Sequence, residues 1–303
     1  MSRSDILPRS PSQYVSHDSQ QSHMTGNILR AVFSAFLLML TPFQPVVERI
    51  LFALLSIGPI PQHIGIIMDG NRRYARNYPG GPIPVSQGHL SGFNALKSVL
   101  EACLKLRGIT TVTVYAFAIN NFGRDRDEVA AIMDLAKRNL VQLAAHGELL
   151  ARHSVRLRMI GRKELLSEDV LAALEKVERM TEGNGQATLN ICIAYASSDE
   201  MANAVEKCIQ TSPFSGKEIS VQDLDDQMML HHSPPCDILV RTSNVHRLSD
   251  FMLWQCTHAQ LQFTKRYWPL FGLRELVPIV LDYQRMVMRQ WLEQFTQTSI
   301  KST

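Results

Sequence analysis

The chain has 303 residues, 45% of them hydrophobic, which suffices for one large domain with a sizeable core. A formal net charge of +3 is too small to argue for nucleic acid as a partner. The five cysteines (Cys103, Cys192, Cys208, Cys236, Cys256) are odd in number, widely spaced and without a CxxC pair, which argues against a disulfide framework and a zinc site and fits a reducing, cytosol-facing location.

Residues 1–27 are rich in Ser, Gln and His with little to bury, and read as a disordered tail. An uncharged run from Ala31 to Val47 approaches the length of a membrane span, interrupted by Pro42, Gln44 and Pro45; a second apolar run, Ile50 to Ile57, ends at Gly58-Pro59. No small-residue cleavage site separates these runs from the rest. Residues 28–57 therefore read as a membrane-associated segment, spanning or interfacial, and not as a cleaved signal peptide. For Val46 to Ile57, a helix capping the fold is an equal alternative.

From His63 to Tyr74 an apolar run stops abruptly at an acid, a glycine, an amide and two arginines. Ile64, Ile66 and Ile67 are what a strand buried on both faces needs, and the polar cluster then lies past its carboxyl end, where open α/β sheets bind ligands. Asp69 can hold Mg²⁺, Gly70 lets the backbone approach an oxyanion, and Asn71, Arg72 and Arg73 are donors suited to phosphate. A plain Asp-Gly-Asn turn before a solvated basic helix is the alternative.

From Gly88 the spacing of Phe93, Leu96, Leu100, Cys103 and Leu104 predicts a helix with Gly108 as its cap. Thr111–Phe117 reads as a buried strand, Asp127–Arg152 as helix interrupted or ended near Gly147, and Val155–Ile160 as a strand. Ser167 is placed to cap a helix opening with Glu168 and Asp169. Thr188–Ala194 is the next strand and Asp199–Ile209 a helix. Ser212–Ile219 is a surface loop, Asp237–Val240 a short strand leading into Arg241, and Gly272–Phe295 a helix despite Pro278. The alternation predicts one α/β domain over residues 58–303, with a mostly parallel central sheet flanked by helices. Arg241, Arg247 and Ser249 form a second polar constellation, in which two arginines can fork onto one diphosphate; a surface pair of Arg247 with Asp250 is the weaker alternative. A nucleotide-binding reading fails, because neither GxxxxGK[ST] nor GxGxxG follows any predicted strand.

The His63–Tyr74 string resembles the first signature of the cis-prenyltransferases, the family of undecaprenyl diphosphate synthases and their eukaryotic dehydrodolichyl diphosphate synthase relatives. Gly88-His89, Tyr115-Ala116-Phe117 leading to Asn121-Phe122 and Arg124, Arg241-Thr242-Ser243, Arg247-Leu248-Ser249-Asp250-Phe251 and Leu253-Trp254-Gln255 extend the resemblance over roughly Pro61 to Arg289. The last block is most similar to the eukaryotic branch. The resemblance implies a hydrophobic product tunnel lined by the helices, and a reaction in which an allylic diphosphate, farnesyl diphosphate by family expectation, condenses with successive isopentenyl diphosphates. It assigns Mg²⁺ to Asp69 and the allylic diphosphate to Gly70, Asn71, Arg72 and Arg73. Isopentenyl diphosphate falls to Arg241, Arg247 and Ser249, with Arg124 assisting. It places Asn121 near the reacting carbons as a catalytic group, and carries over Tyr74, His89 and Phe122 as substrate-binding, although a histidine at a helix start is more often structural.

Several positions depart from the family pattern. Val85 stands where bacterial members have a phosphate-binding arginine, Ala118 and Asn120 replace serine and glutamate, Asn244 stands where glycine is common, and Gln260 where a metal-binding glutamate is expected. After Trp291 there is neither arginine nor glycine, so the Arg-x-Gly element of single-subunit members is missing. In the two-subunit eukaryotic enzymes a Nogo-B-receptor-type homologue supplies it. The expectation is thus the catalytic subunit of a heterodimer that makes the dolichol precursor for protein glycosylation, on the cytosolic face of the endoplasmic reticulum membrane or on lipid droplets. A non-catalytic homologue that binds prenyl diphosphates or stabilises a partner is the alternative, favoured by Ala118, Asn120 and Gln260.

Overall fold

The computed structural model describes residues 44–145, 148–211 and 218–301. The tail expected over 1–27, and the part of the apolar segment before Gln44, lie outside the described residues. Contacts divide the chain into Met1–Leu54 and Leu55–Thr303. Helix α1 (Gln44–Leu55) falls almost wholly in the first unit, and its Val46, Val47, Ile50 and Leu54 are each more than half exposed. Among the described residues no helix is long and apolar enough to cross a membrane.

The second unit runs β1 (His63–Ile67), α2 (Asn71–Arg76), α3 (Val85–Lys105), β2 (Thr111–Ala118), a 3-10 turn at Ile119–Gly123, α4 (Arg126–Ala144), α5 (Leu149–Arg152) and β3 (Val155–Ile160). It continues with α6 (Glu168–Met180), β4 (Ala187–Tyr195), α7 (Ser197–Thr211), α8 (Val221–Gln227), β5 (Ile238–Arg241), β6 (Gln260–Phe263) and α9 (Leu273–Lys301). The six strands form one all-parallel sheet in the order β3-β4-β2-β1-β5-β6. β1 is buried along its whole length, and Ile64 and Ile66 are fully enclosed, each contributing about 1.5–3 kcal/mol by leaving water. The chain leaves β1 towards β2 and returns to its other side as β5. The gap between their carboxyl ends is the switch point at which a doubly covered sheet opens a ligand crevice.

Two local expectations change. Gly108 does not cap α3: the helix ends at Lys105 and Leu106 turns into extended backbone. Gly108 is instead a close approach, since a Cβ there would lie 2.7 Å from Ile60. The helical stretch Asp127–Arg152 divides into α4 and α5 after Ala144, close to the interruption expected near Gly147. Ser167 does precede α6, but its hydroxyl bonds the Asp169 carboxylate and leaves the backbone amides uncapped. The edge strand β6 was not expected, because its four residues alternate polar and apolar too briefly to mark a strand.

Candidate active site

β1 ends in a sharp turn, with the Asp69 amide donating to the Ile67 carbonyl at 2.9 Å. Gly70 follows at φ +108°, a conformation that favours glycine; a Cβ there would come within 3.0 Å of Ser243 and Tyr267. The turn thereby directs Asn71, Arg72 and Arg73 onto the first turn of α2. From the neighbouring strand, Arg241 pairs in register with Ile67 and so arrives beside the same turn. Thr242, fully buried, donates its hydroxyl to the Asp69 carbonyl at 2.6 Å, and the Trp268 amide donates to that same oxygen at 3.0 Å. The backbone of Asp69 is fixed from both sides of the crevice.

The side chains then interlock. Arg241, only 4% exposed, donates Nη2 to Asp69 Oδ2 at 2.9 Å, joining residues 172 positions apart. Its Nη1 donates to Ser249 Oγ and to the Arg247 carbonyl, both at 2.6 Å, and Arg247 Nε reaches the same Ser249 hydroxyl at 3.3 Å. Arg73 pairs with Asp69 Oδ1 at 3.2 Å, donates to the Ser243 carbonyl at 3.1 Å and lies over the Tyr267 ring. On the other wall, Arg124 donates to Asn121 Oδ1 at 2.9 Å and to Glu128 at 3.1 Å, while Arg72 pairs with Glu128 at 3.6 Å.

These groups surround a cleft of about 600 Å³. Asp69, Gly70, Asn71, Arg72, Arg73, His89, Asn121, Arg124, Arg241, Arg247 and Ser249 all line it. Tyr74 and Phe122 do not: Tyr74 sets its ring edge-on to Tyr78, and Phe122 packs edge-on against Phe117. Buried polar atoms at the cleft lack partners, namely Asn71 Oδ1, His89 Nε2 and Arg241 Nε. Such orphans are costly unless a ligand satisfies them. Burial lowers the pKa of His89; Glu128 opposes that shift, and Arg124 and Arg72 reinforce it. At neutral pH His89 therefore meets the cleft as a hydrogen-bonding imidazole and not as a cation. Burial raises the pKa of Tyr115, which stays protonated and donates to the Tyr195 carbonyl at 3.0 Å, with Phe251 stacked on its ring.

Asp69 is the one acid among the residues lining this cleft, and the described residues contain no group of three or more metal-ligating side chains. A single carboxylate with arginines around it fits a Mg²⁺ that shares its shell with diphosphate oxygens and water, and does not fit an ion held by protein alone. Gln260 lies at the opposite end of the ladder, in register with Ile238, with its Oε1 buried and unpartnered. It does not join Asp69 in the cleft.

The departures at Val85, Ala118, Asn120 and Asn244 sort differently. Ala118 lines the cleft, Asn120 is exposed, and Val85 opens α3 beside a side cavity of about 360 Å³. Asn244 sits at φ +56°, which explains why glycine suits the position and why asparagine is an acceptable replacement. The turn that carries it holds five non-glycine residues at positive φ: Ser243, Asn244, Ser249, Asp250 and Met252. Asp250 does not pair with Arg247; it accepts from the Ser198 amide at 2.8 Å and the Ser198 hydroxyl at 2.5 Å, tying the turn to α7.

Sequence reasoning gave no site role to Glu128, Thr242, Trp268 and Gly92. The last had a signal: Gly88 and Gly92 are four apart on one helix face, which is how a helix admits a close neighbour. A Cβ on Gly92 would lie 2.3 Å from Asn71 Oδ1, and the Trp268 indole donates to the Gly92 carbonyl at 2.7 Å. Asn71 and His89 also line a second, apolar cavity of about 100 Å³ between α3 and α4, bounded by Phe93, Leu96, Ile132 and Leu140.

The fold and the site thus define an α/β protein with an arginine-rich cleft at the switch point of a parallel sheet, beside an apolar cavity. The family described as putative undecaprenyl diphosphate synthase matches residues 67–290, and the chain belongs to that family. A dehydrodolichyl diphosphate synthase complex subunit of Schizosaccharomyces pombe is 40% identical over 78% of this chain and 90% of its own length. The human complex subunit of the same description is 39% identical over 78% of this chain and 71% of its own length. Among solved structures, lavandulyl diphosphate synthase from Lavandula x intermedia, crystallised with dimethylallyl diphosphate, aligns with a TM-score of 0.66 and 25% identity over 74% of this chain and 95% of its own.

Proposed function

We propose that this chain is a cis-prenyl elongating subunit that condenses an allylic diphosphate, farnesyl diphosphate in our reading, with successive isopentenyl diphosphates to make dehydrodolichyl diphosphate. The observation that carries this reading is the contact of Arg241 with Asp69, which merges two polar constellations from distant parts of the chain into one cleft. The sequence names of the relatives supply the product class.

Asp69 is held by Arg73 and Arg241. An arriving diphosphate offers both guanidiniums a bidentate partner and releases the carboxylate. A bound Mg²⁺ on Asp69 would stabilise negative charge on the departing pyrophosphate. Asn71, Arg72 and Arg73 hold the allylic diphosphate, with Gly70 beside it. Arg241, Arg247 and Ser249 hold the second diphosphate. Because these donors are already oriented by the Thr242 and Ser249 contacts, little reorganisation accompanies charge development, which is where catalysis of this kind acts. Asn121 has its carbonyl oxygen engaged by Arg124, so it presents an amide donor to orient the substrate. His89, neutral, completes the allylic site by hydrogen bonding. The growing chain enters the apolar cavity between α3 and α4.

The assembly we propose is a heterodimer with a Nogo-B-receptor-type homologue, at the cytosolic face of the endoplasmic reticulum membrane. Support comes from relatives named as complex subunits and from the exposed apolar side chains of α1. Each added isoprene unit makes release into water costlier, at about 0.8 kcal/mol per CH₂, so a membrane is the natural acceptor.

The test is incorporation of labelled isopentenyl diphosphate with farnesyl diphosphate and Mg²⁺, by the chain alone, with the partner homologue, and with Asp69→Ala. Long product only with the partner, lost in Asp69→Ala by at least about 100-fold, is the expected result. A folded complex inactive with every allylic diphosphate would move the reading to a non-catalytic homologue.

A further inference from the structure

Two acids bridge pairs of the arginines that line the cleft, and only one of the two, Asp69, lines the cleft itself. Asp69 lies between Arg73 and Arg241, whereas the adjacent Arg72 points to the opposite wall, where Glu128 lies between it and Arg124. Glu128 is on the first turn of α4, and its place is set by the Asp125 cap, whose carboxylate accepts from the Asp127 amide at 2.9 Å and the Glu128 amide at 3.4 Å. Its side chain is 20% exposed, and each carboxylate oxygen faces a different guanidinium. Arg124 passes the arrangement on by donating to Asn121 Oδ1.

We propose that Glu128 is a positioning residue: it holds Arg72 and Arg124 in register across the cleft and, through Arg124, fixes which end of the Asn121 amide faces the substrate. This rests on the diphosphate-binding reading above. An exposed ion pair would contribute little, but here one carboxylate spans two cations that line the same cleft, and it is the acid in contact with both. Without it the two guanidiniums remain close enough to bind a diphosphate by charge. They lose the fixed spacing that sets the diphosphate and the Asn121 amide relative to one another. Glu128 also competes with the ligand for both arginines, so its removal cannot weaken simple anion binding.

The predicted signature is a loss of turnover without a loss of ground-state binding. The full complex is compared as wild type, Glu128→Gln and Glu128→Ala, with thermal melts to confirm folding. Glu128→Gln keeps one acceptor for Arg124, and its kcat is expected within about threefold of wild type. Glu128→Ala is expected to lower kcat by about tenfold or more, with KM for the allylic diphosphate unchanged or lower. Calorimetric titration with inorganic pyrophosphate should show both variants binding at least as tightly as wild type. A raised KM at unchanged kcat, equal loss in the two variants, wild-type kinetics in Glu128→Ala, or weaker pyrophosphate binding by the folded Glu128→Gln complex would each overturn the proposal. Wild-type complex that binds pyrophosphate but yields no polyprenyl product would overturn the elongation reading alone, and the pyrophosphate titration would still decide the role of Glu128.

Discussion

His63 shows how a single buried side chain ties stability to pH. It is enclosed at the start of β1, where Nδ1 meets the Pro234 carbonyl and Nε2 meets Thr113 Oγ1, both at 2.7 Å. A carbonyl only accepts, so Nδ1 carries the proton and Nε2 accepts from the threonine, whose oxygen in turn accepts from Asn190 Nδ2 at 2.9 Å. This chain across β1, β2 and β4 suits a neutral ring. Burial accordingly lowers the His63 pKa below its ordinary 6.5, against smaller raising effects from Pro234 and Asp237. The unfolded state therefore binds the proton first as pH falls. Stability from this group is complete above the unfolded value and declines as pH drops through 6.5 towards the folded value. Urea midpoints measured from about pH 7.5 to about pH 5 should fall, and fall less steeply in His63→Gln. An unchanged slope in that variant would exclude His63 as the source.

The turn from Ser243 to Met252 is the element on which the proposed second diphosphate site depends. Its strain is offset by contacts from four directions: Ser243 to the Arg266 carbonyl, Asn244 to the Thr264 carbonyl, Asp250 to Ser198, and Arg241 to Arg247 and Ser249. A β-branched side chain at φ +56° should cost about 1–2 kcal/mol, so Asn244→Val is expected to unfold at correspondingly lower urea, while Asn244→Gly stays within about 0.5 kcal/mol of wild type. The irregular end of β2 is a similar device. The register shifts between Tyr115 and Ala118 re-aim the strand just where it enters the cleft.

For the whole molecule, the question is how a water-soluble site handles a product that is not. Helix α1 has Val46, Val47, Ile50 and Leu54 exposed, and nothing in its sequence from Gln44 to Leu55 is charged except Glu48 and Arg49. The membrane attachment proposed above would place this helix in the interface. Replacing the four apolar residues with serine in the full chain should reduce flotation with phospholipid vesicles by at least about tenfold, since each loses part of the roughly 1.5–3 kcal/mol its burial in lipid supplies. Undiminished flotation would place the attachment elsewhere in the chain.

Much of this molecule was legible from local chemistry. The isoleucines of β1 and the β-branched run of β2 have the pattern of doubly buried strands, and their alternation with helices implies a parallel sheet because parallel strands need crossovers. The residues of both polar constellations could be named because acid, glycine and arginine clusters past strand ends have few other uses. The pairing of Asp69 with Arg241 could not be read, nor the bridging by Glu128, the exclusion of Gln260 from the cleft or the role of Gly108. These depend on strand order, on the register of Ile67 with Arg241 and on how closely separate elements approach, which no local pattern encodes. Side-chain type decided what chemistry was available; the switch point between β1 and β5 decided which side chains share it, because only packing brings residues distant in sequence within hydrogen-bonding reach.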